Sequence, residues 1–177
     1  MSEITRIGSG APWEPIVGYC RAVKAGGFVA VSGTTSFDER GTIVGKNQMY
    51  VQARQAIGNI AKALERTGLT LANVIRTRMF VTDISRFAEV ARAHRENFGA
   101  NPPAATAVEV RRLLHQDMLI EIEADAYAGS SDARESTAGG TTPEAQPATP
   151  KHKSRPVRTK GGGSAKRTAG NKLPRRR

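Results

Sequence analysis

Every aromatic residue of this chain lies before Gly129, and the stretch from Ser130 to Arg177 holds none. Val157 and Leu173 are the only Leu, Val, Ile or Met residues of that second stretch. Such a segment cannot bury enough apolar surface to offset the entropy of ordering it, so it is expected to be disordered. Residues 1–129 suffice for one hydrophobic core. The organisation expected is therefore one globular domain, 1–129, followed by a basic low-complexity tail, 130–177. Charge divides at the same place: 15 Lys+Arg against 13 Asp+Glu in the first part, and 12 against 3 in the second. The strongly basic balance of the whole belongs to the tail, not to the domain.

Within the domain, Arg21–Lys24 and Phe28–Ser32 read as two strands joined by a Gly26-Gly27 hairpin turn. Asp38–Gly41 reads as a further turn. From Asn47 to Thr67 the apolar period becomes helical (Val51, Ala53, Ile57, Ile60, Ala61, Leu64), and Gly68 supplies the stop. Val74–Thr82 is a strand. Asp83 has the character of an N-cap for a second helix to Phe98, with Ile84, Phe87, Ala88, Ala91 and His94–Arg95 along one side. Ala105–Arg112 and Met118–Tyr127 are the closing strands. The order β-β-α-β-α-β-β implies an α+β fold, one sheet with two helices on one face.

Alternation then describes the other face. Ile120, Ile122, Ala124 and Ala126 point to the helices, while Leu119, Glu121, Glu123, Asp125 and Tyr127 point away. In the middle strand Ile75, Thr77, Met79 and Val81 share one side, and Arg76, Arg78 and Phe80 the other. A sheet face carrying acids on one strand and arginines on another is either solvated or a self-association surface, and pattern alone accommodates both.

Other chemistries find little support. Cys20 is the single cysteine, and His94, His115 and His152 lack metal-ligand spacing, so no metal site is read. The first thirty residues lack the apolar run of a secretory signal, and no stretch approaches the ~18 apolar residues of a membrane span. The expectation is a cytoplasmic protein with no membrane partner. KGGGSAKRT (160–168) resembles a phosphate-binding loop but lacks its Gly-Lys-Ser/Thr ending and its strand–helix setting.

Three stretches, VAVSGTTS (29–36), QARQAIGNIAKALERTGLTLANVIRTRMFVTDISRF (52–87) and PAATAVEVRRL…IEIEADA (103–126), together resemble the RidA/YjgF family of small trimeric proteins. The resemblance covers essentially all of 1–129. It implies the chorismate-mutase-like fold, with three sheets closing into a barrel-like homotrimer and the helices outside. It also implies small keto- or imino-acid ligands held through their carboxylates in clefts between subunits. The family activity implied is hydrolysis of enamines and imines to 2-keto acids and ammonia, without a cofactor. Matched by motif, the IEIE glutamate is Glu121, implied to orient water. The cleft lining implied is Tyr19, Ser32, Gly33, Phe87 and Ala107, although VGY stands here for the usual GPY at Tyr19.

The departure is at the carboxylate clamp, where the family's Pro-Ala-Arg reads Pro103-Ala104-Ala105. Losing a charge-assisted bidentate contact costs on the order of 2–5 kcal/mol of binding in a buried site. Deamination is therefore expected to be weakened or altered, as in a subgroup without the usual arginine. Arg78 and Arg111 are candidate substitutes, or else partners of Glu109, Glu121 or Glu123. Trp13, between Pro12 and Pro15 in an irregular N-terminal stretch, is read either as a cap over the cleft or as core.

The tail supports a different class of function. Lys151, Lys153, Arg155, Arg158, Lys160, Lys166, Arg167, Lys172, Arg175, Arg176 and Arg177 fall in a run without an acid. Such a run favours nucleic acid through counterion release, without sequence readout. The absence of aromatics removes base stacking. The alternative function is thus a non-catalytic trimeric scaffold whose three tails bind nucleic acid with avidity.

Overall fold

In a computed structural model the described residues are 4–129, and the basic segment with its candidate nucleic-acid contacts lies outside them. The elements are β1 (Ile4–Ile7), α1 (Trp13–Val17), β2 (Ala22–Ala25), β3 (Phe28–Thr34), α2 (Met49–Glu65), β4 (Val74–Val81), α3 (Phe87–Phe98), β5 (Ala104–Glu109) and β6 (Ile120–Tyr127). One six-stranded sheet has the order β1-β2-β3-β6-β4-β5. All neighbours are antiparallel except β4 and β5, which α3 connects as a parallel pair. This is the expected α+β sheet with two main helices, enlarged by β1 and α1. Both were missed because ITRI is short and its burial is one-sided, and because Pro12 and Pro15 read as breakers. Pro12 in fact occupies the N-cap position, where a missing N–H costs nothing.

The core lies between the helices and one face of the sheet. Ile57, Ile60 and Leu64 of α2, Val90 and Phe98 of α3, and Val29, Met79, Val81, Ile120 and Ile122 of the strands are all buried. Each large side chain so buried contributes about 1.5–3 kcal/mol. Gln52, fully buried at the start of α2, was invisible to the apolar pattern. Its Nε2 donates to Gly45 O (3.1 Å) and Asp117 O (2.7 Å), and its Oε1 accepts from Leu119 N (2.8 Å). One side chain thereby fixes the chain entering α2 to the chain entering β6.

Several boundaries differ from the sequence reading for local reasons. Helix α2 cannot start at Asn47, whose φ is 59°. Asp83 caps a 3-10 turn (Ile84–Arg86), accepting from Ser85 N, and α3 begins only at Phe87. The inner stripe of α3 is accordingly Phe87, Val90, Ala93 and Phe98, while Ile84, Ala88 and Ala91 are exposed. A register shift between Val74 and Arg76 turns Ile75 outward and puts Val74 in the core. Strand β5 ends at Glu109 and β6 begins at Ile120. The Gly26-Gly27 turn joins β2 to β3 with Ala25 paired to Phe28, and Gly26 takes φ 58°.

Candidate functional site

A bulge in β3 builds the site. Val31 pairs with Ala124 and Thr34 with Ile122, so two residues, Ser32 and Gly33, stand opposite Glu123 alone. Bulges bend a strand and re-aim its neighbours, and they concentrate beside active sites. Here the bend is held from β2. Ser32 N donates to Arg21 O (3.0 Å) and Ser32 Oγ to Cys20 O (2.8 Å). Arg21 Nη1 donates to Gly33 O (2.8 Å) and Thr34 Oγ1 (3.0 Å), with Ser32 O at 3.5 Å. Its Nη2 reaches Tyr19 Oη at 3.3 Å, and the guanidinium lies 5.6 Å from the Tyr19 ring centroid.

Glu121 lies over the bulge, on the sheet face away from the helices. A Cβ at Gly33 would fall 1.9 Å from Glu121 Oε1. Only a residue without a side chain lets the carboxyl group settle there. Burial, helped by the charge of Glu123, pushes the Glu121 carboxyl above its ordinary value, and Arg21 pulls it partly back. No Arg21–Glu121 ion pair forms within 4.0 Å, so the acid feels this cation without being neutralised by it. An acid raised toward neutrality is suited to accept and return protons.

Arg78 is occupied elsewhere on that face. Its Nη2 lies 3.2 Å from Asp125 and its Nη1 3.6 Å from Glu123, while Arg76 Nε is 3.9 Å from Asp125. Arg111 lies beyond the end of β5, so the strand parity that aligned it with Ala105 stops before reaching it. Trp13 is 59% exposed on α1 and is not core.

The structure thus brings Tyr19, Ser32, Gly33 and Glu121 together, but not with the remaining candidates. Ala105 pairs with Thr77 and Ala107 with Met79, two residues whose side chains point to the helices. Phe87 and Ala107 pack at the margin of that core. Beside Ala105, Thr77 Oγ1 lies 2.9 Å from His94 Nε2, and burial holds His94 below its ordinary value. Within one chain the two groups of residues therefore occupy opposite faces of the sheet. Sequence reasoning missed Arg21, which it took as an ordinary strand start. The signal available was parity: Arg21 precedes the core residue Ala22 and so shares the outward face with Glu121. Among the described residues no group of three His, Cys, Asp or Glu side chains is arranged to hold a metal, and no helix is long and apolar enough to cross a membrane.

The family model described as Endoribonuclease L-PSP matches residues 9–128, a span running from before α1 to the end of β6. The chain belongs to this family, also known as RidA/YjgF. A RutC family protein of Pyrococcus horikoshii is 40% identical over 114 residues, 64% of this chain and 90% of that relative. An uncharacterized protein of Streptomyces coelicolor is 35% identical over 130 residues, 73% of this chain and 96% of the other. Among solved structures, Rv2704 of Mycobacterium tuberculosis, described as a member of the highly conserved YjgF/YER057c/UK114 family, shares 44% identity. It superposes with a TM-score of 0.65 over 71% of this chain and 99% of its own. The α+β sheet with its two packed helices is thus the RidA-like fold.

Proposed function

We propose that this chain assembles as a homotrimer that holds small 2-keto or 2-imino acids in clefts between subunits and hydrolyses the imines to 2-keto acids and ammonia. The observation that carries the reading is Glu121, a raised carboxyl without an ion-pair partner among the described residues, seated over the one bulge position that has no side chain. In the reaction an enamine first takes a proton at carbon to give the iminium. Water then adds to the iminium carbon as Glu121 accepts a water proton. The carbinolamine collapses when Glu121 passes that proton to its nitrogen: the C–N bond breaks, ammonia leaves, and loss of the hydroxyl proton forms the carbonyl.

The division of the candidate residues supports assembly. The Tyr19–Ser32–Gly33–Glu121 group and the Phe87–Ala105–Ala107 group lie on opposite faces of one sheet, and only a second copy brings one against the other. Exposed apolar residues support such contact: Phe28, Val108 and Tyr127 on the sheet strands, and Ile16 and Val17 at 72% and 69% exposure on α1. Phe28 and Tyr127 are paired neighbours across β3 and β6, and contiguous apolar surface is what marks an interaction site.

The test is ammonia release from an amino-acid oxidase system that generates imines, with the purified full-length protein. Turnover above the buffer rate that is lost in Glu121→Gln supports the reading. Turnover unchanged in that variant removes Glu121 from the mechanism, and none with any imino acid removes the hydrolase.

A further inference from the structure

We infer that Arg21 is the cation that receives the ligand carboxylate, in place of the arginine that Ala105 has displaced. The inference rests on the reading of the preceding subsection and names the residue that makes it workable here.

Four arginines of the described residues are already ion-paired. Arg76 and Arg78 are committed to Asp125 and Glu123, Arg86 to Glu89 and Arg92 to Glu96. Arg21 differs from all of these. It is half-buried, and every partner it has among the described residues is neutral: the carbonyls of Ser32 and Gly33, the hydroxyl of Thr34 and the phenol of Tyr19. Glu14 and Glu121 both feel its charge, but neither forms an ion pair with it.

Donor accounting shows what remains available. A guanidinium offers five N–H groups. Nη1 spends its two on the bulge, and Nη2 spends one on Tyr19. Nε–H and one N–H of Nη2 find no acceptor among the described residues. Those two atoms border the edge of the guanidinium that takes a carboxylate in a forked, bidentate geometry. The hydrogen bonds already made hold the group still, so little side-chain entropy is left to lose on binding.

Position selects the ligand class. Gly33 lies between the two groups: its carbonyl accepts from Arg21, and its vacant Cβ position lies against Glu121. A cation and a proton-accepting acid on either side of one residue fit a compact molecule whose carboxylate is bonded directly to its electrophilic carbon, a 2-keto or 2-imino acid.

Arg21 also braces the bulge, so the test must separate charge recognition from scaffolding. Binding of 2-oxobutyrate and of its neutral amide is measured calorimetrically on full-length wild-type protein, Arg21→Gln and Arg21→Lys. The wild type is expected to prefer the acid. In Arg21→Gln the acid weakens about tenfold or more, as for loss of a charge-assisted fork, while the amide is unchanged. Arg21→Lys, which keeps the charge but not the fork, loses a smaller part of the acid preference; it decides the question if the Gln variant does not fold. Equal weakening of acid and amide, or an acid preference that survives both substitutions, overturns the role of Arg21 and leaves the functional reading standing. Wild-type protein that binds neither compound overturns the functional reading itself.

Discussion

Replacing Gly33 with Ala places a methyl group 1.9 Å from Glu121 Oε1, 2.9 Å from its Cδ and 3.3 Å from its Cγ. Ordinary contact begins near 3.4 Å, so the carboxyl oxygen must retreat by about 1.5 Å. The backbone does not resist, because Gly33 is outside the positive-φ region that excludes alanine. Forcing Glu121 to a poorer rotamer costs about 0.5–1.5 kcal/mol. Reduced freedom of the unfolded chain returns about 0.4–1 kcal/mol. Stability should therefore change by less than about 1 kcal/mol. Catalysis is less tolerant, since a 1 Å misplacement can cost about a hundredfold. Gly33→Ala is thus expected to melt within a few degrees of wild type and to lose about two orders of magnitude in imine hydrolysis. Thermal unfolding and the oxidase-coupled ammonia assay on the same preparation measure both. Full activity with the melting point unchanged would refute the assignment of Glu121, because the group would have been moved without consequence.

Three further outcomes follow from the same contacts. Gln52→Leu leaves Asp117 O and Leu119 N without partners, while Gly45 O keeps the Gln48 N–H, and should destabilise by about 2–4 kcal/mol, read as a shift in denaturant midpoint with unchanged slope. Glu121→Gln should raise stability at neutral pH by under about 1 kcal/mol, solvent screening included. The native state keeps the Glu121 proton to higher pH than the unfolded chain does. Wild-type stability thus falls as pH rises from the ordinary value of 4.5 through the raised one, and the advantage of the Gln variant vanishes below that window. Removal of 130–177 should abolish affinity for duplex DNA while leaving ligand binding intact. Full-length binding should weaken with log[salt] at a slope of about −0.9 per phosphate engaged, and an affinity equal in both proteins would exclude the tail as the contact.

Most of the sheet and both main helices could be read from the sequence because their signals are local and repeat. Ile57, Ile60 and Leu64 recur at helical spacing, and Ile120, Ile122, Ala124 and Ala126 alternate without interruption. Where one residue breaks the period, the reading slipped. The irregularity before Arg76 exchanged the faces of Val74 and Ile75, and the 3-10 turn after Asp83 moved the inner stripe of α3. Gln52 was lost for the opposite reason: it obeys the helical period, but its polarity matched an outward position and its three backbone partners are remote in sequence.

The site was harder to read than the fold because its residues depend on a geometry that alternation cannot express. In a regular strand Gly33 would point its α-carbon toward the helices and away from Glu121. The extra residue in β3 is what turns that position under the acid, and Arg21 holds the extra residue in place through Gly33 O and Thr34 Oγ1. Near β5, where the resemblance implies a clamp arginine at Ala105, Arg78 is already paired and Arg111 lies past the strand's end. Arg21, which forms no ion pair among the described residues, is four strands away in the sheet, on β2's approach to the bulge. A cleft assembled from two copies does not require its cation and its acid to come from different subunits. In the proposed role Arg21 and Glu121 both belong to one chain, so the clamp does not depend on an arginine from β5.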